Sequence, residues 1–258
     1  MIRSKKVFVD DTAVRLAIPT GLRLILHKLG LKLYRFRKIP VGADIYIDLL
    51  RSMILDQPIT IFDVGANVGQ SSLEYAYYFP NATIHSFEHV SQTFERLKEN
   101  VANLESIKPH HYALGPQNET VVLRLQEKST NNSLNPVVQE GKASHSRGTG
   151  KSEVVKMLTL DNFCTQNKIG RIDFLKLDAG GFDLRILEGA SRLLQERRIK
   201  RLFVEVTLDP RNPVHCQFNT IATFLEQRGM FPVALYDQKV TETFSNNYYA
   251  NALFSAAS

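Results

Sequence analysis

From residue 59 onward, short apolar runs alternate with segments whose apolar residues recur every three or four positions. The first pattern is typical of buried strands and the second of amphipathic helices. Strands and helices that alternate in this way predict an α/β fold with a parallel sheet. The predicted strands lie at residues 59–64, 82–88, 107–113, 172–177, 202–206, 230–236 and 249–255. The predicted helices lie at 44–55, 69–79, 91–104, 160–167, 182–197 and 216–228.

The middle of the chain carries a different pattern. Residues 119–125 and 154–158 alternate apolar and polar side chains, which predicts an antiparallel extension of two strands. Between them, residues 126–152 are rich in Ser, Asn, Gly and Lys. A polar loop of that length is either disordered or functional. We favour a substrate lid, because the loop adjoins the predicted cofactor site.

The first strand ends in a glycine turn, DVGANVG at residues 63–69. A strand, a glycine-rich turn and a helix form a cofactor cradle, since glycine permits close backbone approach and a helix start offers free N–H groups. The spacing from Gly65 to Gly69 lacks the third glycine of the dinucleotide fingerprint. Asp63 would repel a pyrophosphate but suits the ammonium and sulfonium end of S-adenosylmethionine (SAM). NAD, or a glycine turn without a ligand, is the alternative.

The predicted cofactor site includes the end of the second strand. That strand closes on Glu88, and an acid there suits the two ribose hydroxyls. Asp63 is expected to orient the turn and to accept from the methionine ammonium, while Ser71 either contacts the ligand or caps the helix. The predicted cofactor-binding residues are Asp63, Gly65, Ala66, Asn67, Gly69, Gln70, Ser71, Glu88, His89, Ala113 and Leu114, the last two beside the adenine.

A methyl transfer from SAM needs an aligned acceptor and, for a hydroxyl, a base or a metal. Asp178 follows the apolar strand 172–177 and precedes two glycines, so it is the best-placed carboxylate; its alternative role is a helix cap. Lys176 either lies at the border of the site or is solvated at the rim of the sheet. Glu205 is a second candidate, because a charge inside a strand is costly unless it is paired. We predict no metal site.

The motifs of this chain resemble those of the FkbM-type methyltransferases. The segment FDVGANVGQ at 62–70 is followed in order by FE at 87–88, ALG at 113–115, NSL at 132–134, TLD at 159–161, IDFLKLD at 172–178, GFD at 181–183 and LEGA at 187–190. The resemblance implies a SAM-dependent methyltransferase with the Rossmann-like class I fold, a mostly parallel seven-stranded sheet with an antiparallel last strand. It also implies that the acceptor is a hydroxyl of a sugar or glycolipid.

Two positions depart from the pattern of that family. Family members commonly have proline after the acid of the second strand, where this chain has His89, so the wall near the adenine is expected to differ. They usually read Asp-Val-Glu-Gly where this chain reads DAGG at 178–181. Either the acceptor differs, or Asp183 substitutes for the missing glutamate, or the activity is weak. Asp183 is therefore a catalytic candidate together with Asp178 and Lys176.

The charge of the chain is uneven. The net charge is +6, but residues 1–40 hold 10 Lys and Arg against 2 Asp, and the remainder is close to neutral. The charge predicts a basic N-terminal helical extension at 1–50, and the resemblance implies a SAM-dependent methyltransferase domain at 51–258. Apolar positions at helical spacing in residues 22–33 predict an amphipathic helix. This helix either packs on the body or a partner subunit, or lies on an anionic membrane surface.

Composition narrows the class of protein further. The two cysteines form no disulfide framework or metal cluster, and no run of about 18 apolar residues or signal peptide is recognisable. The near-neutral body argues against a nucleic-acid partner. We expect a cytoplasmic enzyme for a small-molecule or glycan acceptor, with optional peripheral contact at the inner membrane surface through residues 1–40. The alternatives are a non-catalytic or weakly active SAM-binding protein and a methyltransferase for another acceptor, nucleic acid included.

Overall fold

The computed structural model describes residues 38–53, 56–126, 133–135, 148–239 and 249–257. The chain divides into two compact units, residues 1–40 and residues 41–258. The predicted basic helix within residues 22–33 lies outside the described residues. In the described part of the chain, no helix has the length and apolar character needed to cross a bilayer.

The helices and strands of the second unit follow the predicted alternation. The helices are α1 (Ile45–Ser52), α2 (Gln70–Tyr78), α3 (Ser91–Val101), α4 (Leu160–Gln166), α5 (Asp183–Glu188), α6 (Ser191–Gln195) and α7 (Phe218–Glu226). The strands are β1 (Ile59–Val64), β2 (Ala82–Phe87), β3 (Ile107–His110), β4 (Ala113–Leu114), β5 (Glu119–Gln126), β6 (Gly148–Leu158), β7 (Phe174–Leu177), β8 (Arg201–Thr207), β9 (Met230–Lys239) and β10 (Tyr249–Ala256).

Within the described residues, the main sheet has seven strands in the order β3-β2-β1-β7-β8-β10-β9. The pairs from β3 to β8 are parallel, whereas β10 pairs antiparallel with both β8 and β9. The predicted class I methyltransferase sheet with its reversed last strand is confirmed. Because the strand order changes direction at β1, a crevice is expected outside the carboxyl ends of β1 and its neighbours.

Both faces of the central strands are buried. In β1, Phe62 and Val64 pack into the cluster that includes residues of α4, α5, α6 and α7. Ile59 and Ile61 point to the other face and pack with residues of α1, α2 and α3. A parallel sheet covered by helices on both faces requires such continuous apolar strands. Polar side chains at the strand ends are therefore the ones available for chemistry.

The first helix belongs to the second unit, although the predicted boundary after residue 50 assigned most of it to the N-terminal extension. Asp44 caps α1 by accepting a hydrogen bond from the N–H of Ile47 at 3.1 Å. Asp48 Oδ2 accepts from the hydroxyl of Tyr236 at 2.8 Å, which ties α1 to β9. These contacts attach the helix to the edge of the main sheet.

The prediction of one helix at 182–197 is wrong. The structure has two short helices, α5 and α6, separated at Gly189. A Cβ at Gly189 would lie 2.0 Å from the carbonyl oxygen of Gly115, so the backbones pack directly against each other there. The carboxylate of Asp161 accepts from two backbone N–H groups near the start of α6, which begins the helix anew.

The predicted strand at 107–113 is wrong at its end. β3 stops at His110, and Ala113 and Leu114 form β4, which pairs with β6 in a second sheet of order β4-β6-β5. The antiparallel pairing of β5 with β6 is present, but β6 begins at Gly148, inside the predicted polar loop. Residues 127–132 and 136–147 of that loop lie outside the described residues, so its function as a lid stays a prediction.

Candidate active site

Backbone contacts hold the turn after β1. The N–H groups of Gly65 and Ala66 both donate to the carbonyl oxygen of Phe87, at 3.1 and 2.9 Å. Gly65, Asn67 and Gly69 have positive φ angles of 74°, 51° and 96°. Gly69 precedes α2, and no described side chain caps that helix start. The turn therefore keeps backbone N–H groups available for a ligand.

Gly65 abuts the end of β7. A Cβ at Gly65 would lie only 2.0 Å from the carbonyl oxygen of Asp178. With this contact and a positive φ, no other residue fits the position without a shift of the backbone. The predicted cofactor turn and the predicted catalytic strand end are therefore in direct contact.

A buried polar cluster lies beneath the turn and is centred on Asp63, which is 0% exposed. Its Oδ2 accepts a hydrogen bond from Ser72 Oγ at 2.6 Å, and Ser72 Oγ lies 2.7 Å from Ser86 Oγ. Its Oδ1 is 3.1 Å from Lys176 Nζ. All of these partners belong to the protein, so Asp63 anchors the turn to α2, β2 and β7.

Lys176 bridges the buried cluster and the open edge of the sheet. Its Nζ is 3.4 Å from Asp178 Oδ2 and donates to the carbonyl oxygen of Gly65 at 3.4 Å. Burial acts to lower the pKa of Lys176, but the carboxylates of Asp63 and Asp178 outweigh burial and raise it above its ordinary value. Lys176 therefore stays cationic. The side chain of Asp178 is 51% exposed and reaches solvent.

Glu88 links the end of β2 to the turn after β1. Its Oε2 accepts from the N–H of Asn67 at 3.1 Å, and its Oε1 accepts from the N–H of Val90 at 2.8 Å. The residue is only 5% exposed. Each carboxylate oxygen accepts one of these bonds and has further acceptor capacity. His89 follows directly and forms the next part of the same edge.

Two side chains, those of Asp183 and Ser133, hydrogen-bond to the backbone of the turn after β7. Asp183 is buried, and its two oxygens accept from the N–H groups of Ala179 and Gly181 at 3.0 and 3.2 Å. Burial raises the pKa of Asp183 to about 7, although the Ala179 bond opposes the shift. Ser133 Oγ lies 2.9 Å from the carbonyl oxygens of both Ala179 and Gly180. These contacts hold the backbone of residues 179–181, directly after Asp178.

A histidine that the sequence analysis did not identify lies in the loop after β8 and contacts a side chain of that strand. His215 Nε2 is 3.1 Å from Glu205 Oε2, and its ring stacks on Tyr249 at a centroid distance of 5.2 Å. Burial acts to lower the pKa of His215, but the hydrogen bond and charge of Glu205 outweigh it, so the pKa is raised. Val204 of β8 pairs with Leu177 of β7 in the parallel sheet. The next residues of the two segments, Glu205 and Asp178, are therefore neighbours at the same edge.

The remaining predicted site residues have varied surroundings. Gln70 is exposed at the start of α2 and Ser71 is partly buried, whereas the next residue, Ser72, contacts Asp63. Ala113 and Leu114 are buried in the second sheet. The structure brings together the ends of β1, β2 and β7, and with them the residues Asp63, Gly65, Asn67, Glu88, Lys176 and Asp178.

These features fit SAM. No described side chain caps the start of α2 after the glycine turn, and the carboxylate of Glu88, which accepts from Asn67 in that turn, has further acceptor capacity. No group of three or more His, Cys, Asp or Glu side chains in the described residues is arranged to hold a metal ion. The sheet order and this site define a SAM-dependent methyltransferase.

Comparison with known proteins identifies the family. The chain matches the methyltransferase FkbM domain over residues 63–231, more than half of its length, and belongs to that family. It is 22% identical over 182 residues to the hexuronic acid methyltransferase AglP of Haloferax volcanii, covering 70% of each chain. It is also 24% identical over 190 residues to methyltransferase 1 of Beauveria bassiana, covering 68% of this chain and 73% of that one.

Some solved structures are similar to this chain in fold. The chain resembles the precorrin-6y C5,15-methyltransferase of Geobacter metallireducens at 16% identity and a TM-score of 0.44. The match covers 83% of this chain and 88% of the other. This likeness does not bear on the acceptor.

Proposed function

We propose that this methyltransferase acts on a hydroxyl oxygen of a sugar or glycan, with Asp178 as the proton acceptor. The observation that carries the proposal is the position of Asp178, half-exposed at the end of β7 and in backbone contact with Gly65 of the cofactor turn. The similarity to a hexuronic acid methyltransferase supports a sugar acceptor.

SAM supplies an activated methyl group, so the protein needs to position the acceptor and take up a proton. In the proposed step the hydroxyl oxygen forms a bond to the methyl carbon while the carbon–sulfur bond breaks and its electron pair stays on sulfur. The hydroxyl proton passes to the Asp178 carboxylate. Lys176 holds Asp178 Oδ2 at 3.4 Å and so fixes the direction of the carboxylate.

The loops beside Asp178 form the proposed acceptor wall. Asn135 Nδ2 donates to the carbonyl oxygen of Val214 at 2.8 Å, and Cys216 Sγ donates to that of Gly181 at 3.2 Å. These bonds join residues 133–135, 178–183 and 212–217. We assign Asp183 to this wall as a positioning residue, because backbone N–H groups occupy its carboxylate.

Mass spectrometry of the product tests the proposal. The protein is incubated with SAM and a panel of hexuronic acid and neutral sugar glycosides, and we expect the mass of one methyl group on a hydroxyl-bearing product. Asp178→Asn should bind S-adenosylhomocysteine normally in calorimetry but turn over about 10²-fold more slowly, the scale of a lost general base.

Asp56→Asn is the matched control, since Asp56 is exposed before the amino end of β1, at the opposite edge of the sheet. It should keep the full rate. A folded Asp178→Asn protein that turns over at the unchanged rate contradicts the base assignment. A methyl group found on nitrogen or carbon contradicts the choice of a hydroxyl.

A further inference from the structure

Glu205 lies on the face of the sheet that also carries Asp178. Lys176 of β7 pairs with Phe203 of β8 in the parallel sheet, so their side chains share a face. Asp178 and Glu205 each come two residues later, and successive side chains of a strand alternate between faces, so both return to that face. Asp178 accordingly contacts the ammonium of Lys176. The carboxylates of Asp178 and Glu205 therefore lie side by side at the carboxyl edge of the sheet.

The imidazole of His215 holds one oxygen of Glu205. Asn212 Oδ1 accepts from the N–H groups of Val214 and His215 at 2.9 and 3.0 Å, so the amide nitrogen of Asn212 faces His215 Nδ1, at 3.1 Å. An amide nitrogen can only donate, so in the neutral ring Nδ1 accepts and the proton is on Nε2. The cationic ring also carries a proton on Nε2. That atom is 3.1 Å from Glu205 Oε2 and donates to it in either form.

The second oxygen of Glu205 is available to a ligand. Among the described residues, the contact of this carboxylate is the one from His215 to Oε2, and the side chain is 19% exposed. Its Oε1 can therefore accept from a hydroxyl group. Burial raises the pKa of Asp183, and the charges of Asp178 and Glu205 raise it further, so these three carboxylates lie within electrostatic reach of one another.

We propose that Glu205, held by His215, binds the hydroxyl next to the one that is methylated, so that the acceptor is a pair of hydroxyls on adjacent carbons. One hydroxyl of this vicinal diol meets Asp178, and its neighbour donates a hydrogen bond to Glu205 Oε1. Carboxylates on adjacent strands offer two acceptors side by side, which suits the two donors of a diol. The inference rests on the proposed transfer to a hydroxyl and names the kind of hydroxyl. Glu205 is then a specificity-determining residue and His215 a positioning residue.

Deoxy acceptors test the inference with the unaltered protein. The protein is incubated with SAM and a panel of methyl hexopyranosides and methyl hexuronides, and tandem mass spectrometry locates the methyl group on the product. The same glycoside is then supplied without the hydroxyl on one or the other adjacent carbon. Loss of the hydroxyl that binds Glu205 should lower kcat/KM by about tenfold or more, the effect of one hydrogen bond to a charged group. The loss should appear chiefly as a higher KM, because this bond holds the acceptor before and during the transfer.

Replacement of Glu205 assigns the effect to this side chain. Glu205→Met has a similar length and lacks the acceptor. It should lower kcat/KM for the complete glycoside by about tenfold, mainly through KM, and should no longer distinguish the complete glycoside from the deoxy one. Glu226→Met is the matched control, since Glu226 is exposed at the end of α7, and it should keep the preference for the complete glycoside.

Two variants of His215 test its positioning role. His215→Phe keeps a ring that can stack on Tyr249 but loses the donor to Glu205, so the preference for the complete glycoside should weaken. His215→Gln supplies an amide N–H near the position of Nε2 and should retain most of that preference.

The outcomes separate the inference from the proposed function. Equal kcat/KM of the unaltered protein for complete and deoxy glycosides overturns the inference, as does methylation of a hydroxyl that has no hydroxyl on an adjacent carbon. A loss in Glu205→Met that is the same for both glycosides also overturns it, because that result indicates a general effect on the site. If the unaltered protein methylates no hydroxyl of any glycoside, the proposed function itself fails, and the inference with it.

Discussion

Replacement of Lys176 by methionine provides the most direct test of the buried cluster beneath the cofactor turn. The ammonium of Lys176 lies 3.1 Å from Asp63, whose carboxylate is completely buried. Methionine has a similar volume and no charge. Removing one partner of a buried ion pair leaves the other charge uncompensated, which typically costs about 3–5 kcal/mol. Asp178 adds little to this cost, because its half-exposed carboxylate regains water.

The second substitution tests the cause of that loss. In the Lys176→Met, Asp63→Asn double variant no buried charge is left unpaired, and the amide oxygen can still accept from Ser72. We expect the double variant to recover most of the lost stability, since replacing both partners of a buried pair is often nearly neutral. Lys98→Met breaks an exposed pair with Glu95 and should change the stability by less than about 1 kcal/mol.

Urea unfolding followed by far-UV circular dichroism measures these changes, because the chain has no tryptophan for fluorescence. The free energies of unfolding of the unaltered protein, Lys176→Met, Asp63→Asn and the double variant form a double-mutant cycle. We expect a coupling between Lys176 and Asp63 of at least about 2 kcal/mol. A single Lys176→Met variant that loses less than about 1 kcal/mol would refute the reasoning. So would a double variant as unstable as the single one.

Three further predictions follow from the same region. Glu88→Ala should stay folded and weaken S-adenosylhomocysteine binding by about 1.5–3 kcal/mol, the range for hydrogen bonds to a charged group; unchanged calorimetric affinity argues against ribose binding. Gly65→Ala should destabilise far more than Gly150→Ala in thermal melts, since both have positive φ but only Gly65 meets a neighbour, at 2.0 Å; equal losses would contradict the close contact. Burial lowers the pKa values of His85 and His110 to about 4 from 6.5. The folded protein favours the neutral rings, so the stability that they contribute is fully present above pH 6.5 and is lost as the pH falls through 4. A melting temperature that does not change between pH 6.5 and 4 contradicts this prediction.

The local pattern of apolar and polar residues determined most of the helices and strands of this protein. The apolar run before the glycines predicted β1, the glycine turn and α2, because a buried strand and a helix each impose their own period on the sequence. Glu88 and Asp178 follow the predicted strands β2 and β7, which placed both residues at the same edge of the sheet, because the carboxyl ends of parallel strands meet there. The resemblance to FkbM-type methyltransferases correctly implied a mostly parallel seven-stranded sheet with an antiparallel last strand.

Contacts between segments that are distant in the chain decided which polar side chains pair and where one helix breaks, and the sequence did not predict either. Ser72, and not its neighbour Ser71, bonds Asp63, because the rotation of α2 against the sheet turns Ser72 inward. His215 pairs with Glu205, but it lies in a loop whose sequence has no helix or strand periodicity. No spacing in the sequence therefore predicts this pair. The break at Gly189 depends on the close approach of Gly115, which follows β4 and is far away in the chain. A one-dimensional pattern reports which face of an element is buried, but register and loop packing determine which polar atoms meet at the site.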